Sequence, residues 1–173
     1  MKVIYNQVSS EYLYPLSKGD ISQIKKVVAS EDLDKLRTVE FGCNTKTTQE
    51  GRTVQRGRFY YIRINFCLKK LSTLILSEDK KYLDQIKNFG GCVDQKSNLI
   101  TWRLSDAKRY GLFLLLHEIG HVIYSEYHSQ SKLKGPPSKA EEQWCDRYAM
   151  EKIKQLYELM VAAEPRRGDK RGI

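Results

Sequence analysis

A chain of 173 residues, 40% hydrophobic and 29% charged, has the size of one domain with a real core and the composition of an ordinary globular protein. Its longest apolar run, Leu112 to Leu116, falls far short of the roughly 20 residues that cross a bilayer. The first residues, Met1 to Gln7, turn polar too early for a signal peptide, so a cytoplasmic protein without a membrane partner is expected. The net charge of +9 suggests nucleic acid as a partner. However, the cations are scattered (Lys25-Lys26, Lys69-Lys70, Lys80-Lys81, Arg166-Arg167) among acids, and no helix-turn-helix, zinc finger or phosphate loop is visible; a basic solvated surface is the simpler reading.

The four cysteines (Cys43, Cys67, Cys92, Cys145) lie in separate segments without a C-x-x-C pair. They read as reduced structural thiols rather than a disulfide framework or a zinc knuckle.

Residues 1–17 form a Tyr/Ser-rich lead-in. Ser17-Lys18-Gly19-Asp20 opens a helix over Ile21 to Ala29, with Ile21, Ile24 and Val28 at helical spacing, and a short turn of helix follows at Glu31 to Leu36. Strands are expected at Thr38 to Gly42 and Thr53 to Cys67, flanking a polar turn, Asn44 to Gly51. In the second, Tyr60, Ile62, Ile64 and Phe66 alternate with Phe59, Tyr61, Arg63 and Asn65, the period of a half-buried strand. Leu74 to Leu76 is a further strand. Ser77 caps a helix over Glu78 to Phe89 that ends at Gly90-Gly91, and Cys92-Val93 pairs with Leu99 to Leu104 as a hairpin. A helix from Asp106 to Ser125, with Ser105 as N-cap, is apolar on nearly every side and should be buried. A last helix runs from Lys139 to Ala163, before a basic, flexible tail at 164–173, whose Arg167-Gly168-Asp169 is read as chance. The expectation is a single domain over 1–163, with a catalytic core at 99–163 and an N-terminal region, 1–98, of unassigned role.

His117-Glu118-Ile119-Gly120-His121 is H-E-x-x-H on the buried helix. At 3.6 residues per turn the two histidines lie about 40° apart on one face, one turn apart, and can share a metal. Glu118 projects to one side, placed to take a proton from zinc-bound water rather than to ligate. Burying two histidines and a glutamate without partners costs several kcal/mol, so such a helix needs a reason to carry them. A catalytic zinc requires a third ligand. His128, seven residues past His121, would lie about 10 Å along the axis, and position 127, where a metzincin has histidine, is Tyr127. Ser138-Lys139-Ala140-Glu141 reads as a capping box that occupies Glu141, leaving Glu142 as the third ligand. Glu142, Cys145, Asp146, Ala149 and Ile153 share one face, with Cys145 and Ala149 small enough to let the two helices approach. Asp146 is placed to hold the outer N–H of a zinc histidine.

HEIGH followed by Glu142-Gln143-Trp144-Cys145-Asp146-Arg147-Tyr148-Ala149 resembles the gluzincin pattern, HExxH then E-x-x-x-D. It looks most like small ImmA/IrrE-type or minimal gluzincin domains, over about residues 99–153. Position 145 departs from the pattern, with cysteine where alanine is usual. The resemblance implies a zincin-like α+β fold: a small, mainly antiparallel sheet, an edge strand beside the buried helix, and a second, glutamate-bearing helix. It implies zinc on His117, His121 and Glu142, Glu118 as general base, Asp146 behind a histidine, and an edge strand at Leu99 to Leu104 that pairs with extended substrate. The expected function is zinc-dependent hydrolysis of peptide bonds in an intracellular protein. The alternative is a non-catalytic zincin-fold module, DNA-associated given the charge. For the oxyanion partner, Tyr124, Tyr127, His128, Arg147 and Tyr148 are all open.

Overall fold

The computed structural model describes residues 1–6, 9–43, 49–128 and 136–163. In chain order these form β1 (Lys2–Tyr5), β2 (Tyr12–Leu13), α1 (Lys18–Gln23) with a 3-10 turn at Ile24–Lys26, α2 (Ser30–Asp34), β3 (Leu36–Phe41), β4 (Gly51–Arg56), β5 (Phe59–Ile64), β6 (Leu68–Lys69), β7 (Ser72–Leu74), α3 (Lys80–Asn88), β8 (Cys92–Asp94), β9 (Leu99–Thr101), α4 (Leu104–Tyr127) and α5 (Lys139–Ala163). The class is α+β. The expected tail at 164–173, with Arg167-Gly168-Asp169, and most of the expected turn at 44–51 lie outside the described residues.

Two sheets carry the strands. The first has the order β1-β3-β5-β4, and the second β2-β6-β7-β9-β8. The second is antiparallel as expected. The first is not: β1 and β5 run parallel to β3, and only β4 is antiparallel, paired to β5 with Gly51 opposite Ile64 and Arg56 opposite Phe59. The single strand expected over Thr53 to Cys67 is therefore the second arm of a hairpin with part of the first. Gly57, at φ 61°, makes the turn, a left-handed conformation that costs glycine little.

Local signals explain most element ends. Ser17 and Asp20 form a reciprocal capping box at α1. Asp79, rather than Ser77, caps α3 by accepting from the Lys81 and Tyr82 amides, and Gly90, at φ 89°, follows its end. Helix α4 begins one residue before Ser105, with Arg103 as an N-cap that makes no side-chain bond.

Helix α4 is central, with Tyr110, Leu115, Leu116, Ile119 and Val122 at most 1% exposed. One buried cluster joins it to the inner faces of β3 and β5 (Val39, Phe41, Ile62, Ile64) and to α5 through Ala149, Ile153 and Leu156. Each fully buried aliphatic or aromatic side chain contributes about 1.5–3 kcal/mol. The first half of α4 is braced by rings: Tyr110 stacks on Trp102 at 5.1 Å and meets Phe66 edge-on at 5.2 Å. No helix among the described residues is long and apolar enough to cross a membrane.

The cysteines depart from expectation. Cys92 and Cys145 are free, but Cys43 and Cys67 are joined by a disulfide with Cα atoms 5.5 Å apart. The bridge ties the chain just after β3 to the chain just after β5, two strands that lie side by side. Closing a loop of 24 residues in sequence restricts the unfolded chain by about 3 kcal/mol. Reductant should therefore lower unfolding stability by about that amount in a denaturant titration. Differential alkylation should find Cys43 and Cys67 protected until reduction, whereas Cys92, which is exposed, labels at once.

Candidate metal centre

His117 and His121 project from α4 toward the start of α5. Their Nε2 atoms are 3.2 Å apart; Glu142 Oε2 lies 3.2 Å from His117 Nε2, and Glu142 Oε1 lies 3.6 Å from His121 Nε2. Two nitrogens and a carboxylate oxygen at about 2.0–2.1 Å around a tetrahedral zinc stand about 3.3 Å from one another, close to the spacings of the two imidazoles and of His117 and Glu142. The three residues form the one group of His, Cys, Asp or Glu with metal-holding spacing among the described residues.

Behind each imidazole stands a carboxylate. Asp146 Oδ1 is 3.0 Å from His117 Nδ1, an ion-pair contact rather than an aligned hydrogen bond. Lys81 of α3 holds the other oxygen of Asp146 at 3.0 Å. His121 Nδ1 is 2.8 Å from Glu141 Oε1, and Glu141 is 3% exposed. Ser138 Oγ does accept from the Glu141 amide, so the cap exists. The Glu141 carboxyl assigned to that cap nevertheless reaches a histidine. Carboxylates in these positions fix the tautomer and ring orientation of metal-binding histidines.

Charge follows from this arrangement. Burial opposes protonation of His117, but the carboxylates of Asp146 and Glu142 and the charge of Glu118 outweigh it and lift the imidazole to about 9. Glu142 is held below its ordinary value, chiefly by His117. Burial pushes the Cys145 thiol well up, so it stays neutral 3.5 Å from His121 Nδ1. Together these acids and imidazoles make a place for a cation.

Glu118 is 6% exposed and points to the other side of His117, toward β4. Thr53 Oγ1 donates to its carboxylate at 2.6 Å, and the bond limits what burial does, which is to raise the carboxyl above its ordinary value. A Cβ on Gly51 would lie 2.3 Å from Glu118 Oε1, so a side chain there would displace the Glu118 carboxyl. The strand beside the site is thus β4, the outer strand of its sheet. The expected edge strand, Leu99 to Leu104, is contradicted: β9 lies between β7 and β8, and residues from Leu104 on belong to α4.

An open cleft of about 750 Å³ runs over the histidines, walled by residues 49–54, α3 and α4. None of the five residues considered for the oxyanion lines it. Tyr124 stacks on His128 at 4.2 Å, Tyr148 stacks on Trp144, and Tyr127 is 66% exposed near Asp32. The cleft's own hydroxyls are Thr53, Tyr82 and Tyr110. Tyr110 donates to Glu50 at 2.5 Å, and the buried Tyr82 hydroxyl lies beside the same carboxyl. Glu50, Thr53, Lys81 and Tyr82 escaped the sequence reading; the only trace of them is the glycine at 51, which marks a close approach. Comparison with protein-family models, curated proteins and solved structures finds no match.

Glu50 gives a test of this wall. Burial pushes its carboxyl from 4.5 up to about 7, against the hydrogen bonds of Tyr110 and Tyr82. The folded protein keeps this proton up to about pH 7, whereas the unfolded chain releases it near pH 4.5. The folded state therefore binds more protons across that window, and stability falls as pH rises through it. In Glu50→Gln, thermal midpoints measured from pH 5 to 8 should lose this decline, with the largest gain over wild type at pH 8.

Proposed function

We propose that the protein is a zinc-dependent peptidase, with zinc on His117, His121 and Glu142 and with Glu118 as general base. The observation that carries this reading is the pairing of a closed three-donor set with a buried carboxylate on the next helical position, both facing one open cleft. A metal held there would supply Lewis-acid chemistry and would make water acidic near neutrality. Glu118, raised by burial and held by Thr53, is suited to accept a proton from that water and return it to a leaving amine.

The other residues orient. Asp146 and Glu141 hold the two imidazoles from behind, and Lys81 holds Asp146. Strand β4, whose outer side pairs with no strand among the described residues, runs along the cleft, where an extended peptide can add as a further strand. Tyr82, a cleft hydroxyl beside Glu50, is suited to donate to a carbonyl oxygen that gains charge. The substrate class is an extended segment of a protein or peptide.

Glu118→Gln separates catalysis from metal holding. The variant should retain zinc as wild type does and lose at least about a hundredfold in cleavage of an unstructured protein such as casein, the usual scale for removing a general base. Tyr82→Phe should lower kcat with little change in KM. Wild-type zinc content without cleavage of any unfolded protein, or equal cleavage by Glu118→Gln, would remove the peptidase reading and leave a metal-binding module.

A further inference from the structure

The sheet that meets α4 has a second face. Register places Ile62, Ile64, Val39, Phe41, Thr53 and Gly51 on the side packed against the core and the metal centre. The residues between them point the other way: Lys2 and Ile4 on β1, Thr38 and Glu40 on β3, Phe59, Tyr61 and Arg63 on β5, and Arg52, Val54 and Arg56 on β4. No helix covers this face among the described residues. Phe59 and Tyr61 are half-exposed on the central strand, and the arginines are exposed.

Guanidinium groups and rings are interleaved there. Arg37 and Arg58 both lie over the Phe59 ring, at 5.6 and 5.0 Å, and Arg56 lies over Tyr61 at 5.5 Å. Arg52 sits directly opposite Arg63, a like-charge cross-strand pair that costs stability unless something neutralises it. The acid on this face is Glu40, 3.7 Å from Arg63. Six cations (Lys2, Arg37, Arg52, Arg56, Arg58, Arg63) thus lie on or beside one sheet face with two rings and one carboxylate. The charge that is scattered along the sequence is gathered by the fold.

We propose that this outer face binds single-stranded nucleic acid. Unpaired bases would stack on the guanidinium planes that lie over Tyr61 and Phe59, or displace them from the rings, and phosphates would pair with the surrounding cations. This is the division of labour by which stacking platforms in basic grooves hold single strands. A duplex hides its base faces and would use the charge alone. An acidic peptide has no use for the rings, and a membrane surface calls for protruding apolar side chains, whereas these rings lie within the sheet surface. The surface is separate from the metal centre, on the opposite side of the same strands, so it does not depend on the peptidase reading.

The test is fluorescence anisotropy of the full chain with labelled dT15 and rU15, in 50 and 200 mM NaCl, against a 15-bp duplex and anionic vesicles (phosphatidylcholine with phosphatidylserine). Tighter binding of at least one single strand than of duplex or vesicles is expected, with a loss of roughly 300-fold over this salt range for six phosphate contacts. Arg37→Ala/Arg56→Ala/Arg58→Ala should raise Kd at least tenfold and reduce the salt slope by about 2. The charge-matched control Lys18→Ala/Lys25→Ala/Lys26→Ala should stay near wild type. Tyr61→Leu, with circular dichroism unchanged, should weaken binding at least fivefold, while Tyr61→Phe retains it. Absence of single-strand binding at 50 mM NaCl, equal affinity for duplex or vesicles, or equal loss in the lysine control would overturn the proposal.

Discussion

The candidate centre depends on how closely α4 and α5 cross. At the crossing, a Cβ on Gly120 would stand 3.2 Å from the Cα, Cβ and Sγ of Cys145. Gly120 is the residue before His121, and Cys145 lies between Glu142 and Asp146, so the tightest point of the packing sits inside the donor set. Only because these two positions are small do Glu142 and Asp146 come within hydrogen-bonding range of imidazoles on the other helix. A side chain at Gly120 would press on Cys145 and push the helices apart at the point where the donors meet. Ala149 and Ile153, buried one and two turns further along α5, extend the same seam into the core.

The crossing also sets the electrostatics. Glu141, Glu142 and Asp146 converge on two imidazoles from one helix, and Glu118 stands on their other side. Gathering this many acids around a largely buried pair of rings is unfavourable unless positive charge is supplied. Without a metal, His117 supplies part of it by holding a proton to about pH 9. A divalent cation supplies more, and meets donors already spaced for it. Strand β4 closes the arrangement from the opposite side, where Gly51 makes room for Glu118 and Thr53 bonds it.

What could be read in the sequence was what depends on neighbours along one helix. The two histidines, Glu118, Glu142 and Asp146 follow from helical spacing and the start of α5, and the structure brings them together. Glu141 shows the limit of such signals, because S-x-x-E marks a cap without saying where the glutamate's side chain goes. The mixed sheet was hidden because apolar alternation runs through both arms of the β4–β5 hairpin, and parallel pairing with β3 leaves no local mark. Thr53, Lys81 and Glu50 meet their partners across 65, 65 and 60 residues, separations at which no pattern in one sequence carries information. The same holds for the arginines of the outer face, which only strand register aligns, and for the Cys43–Cys67 bridge, which strand neighbours β3 and β5 bring together.

The most direct test of the metal centre is X-ray absorption at the zinc edge, on wild-type protein reconstituted with zinc, desalted, and assayed for metal content. The account predicts close to one zinc per chain, a nitrogen and oxygen shell at about 2.0–2.1 Å with the scattering of two imidazoles, and no sulfur near 2.3 Å. Failure to retain zinc, or a sulfur shell placing Cys145 on the metal, would contradict it.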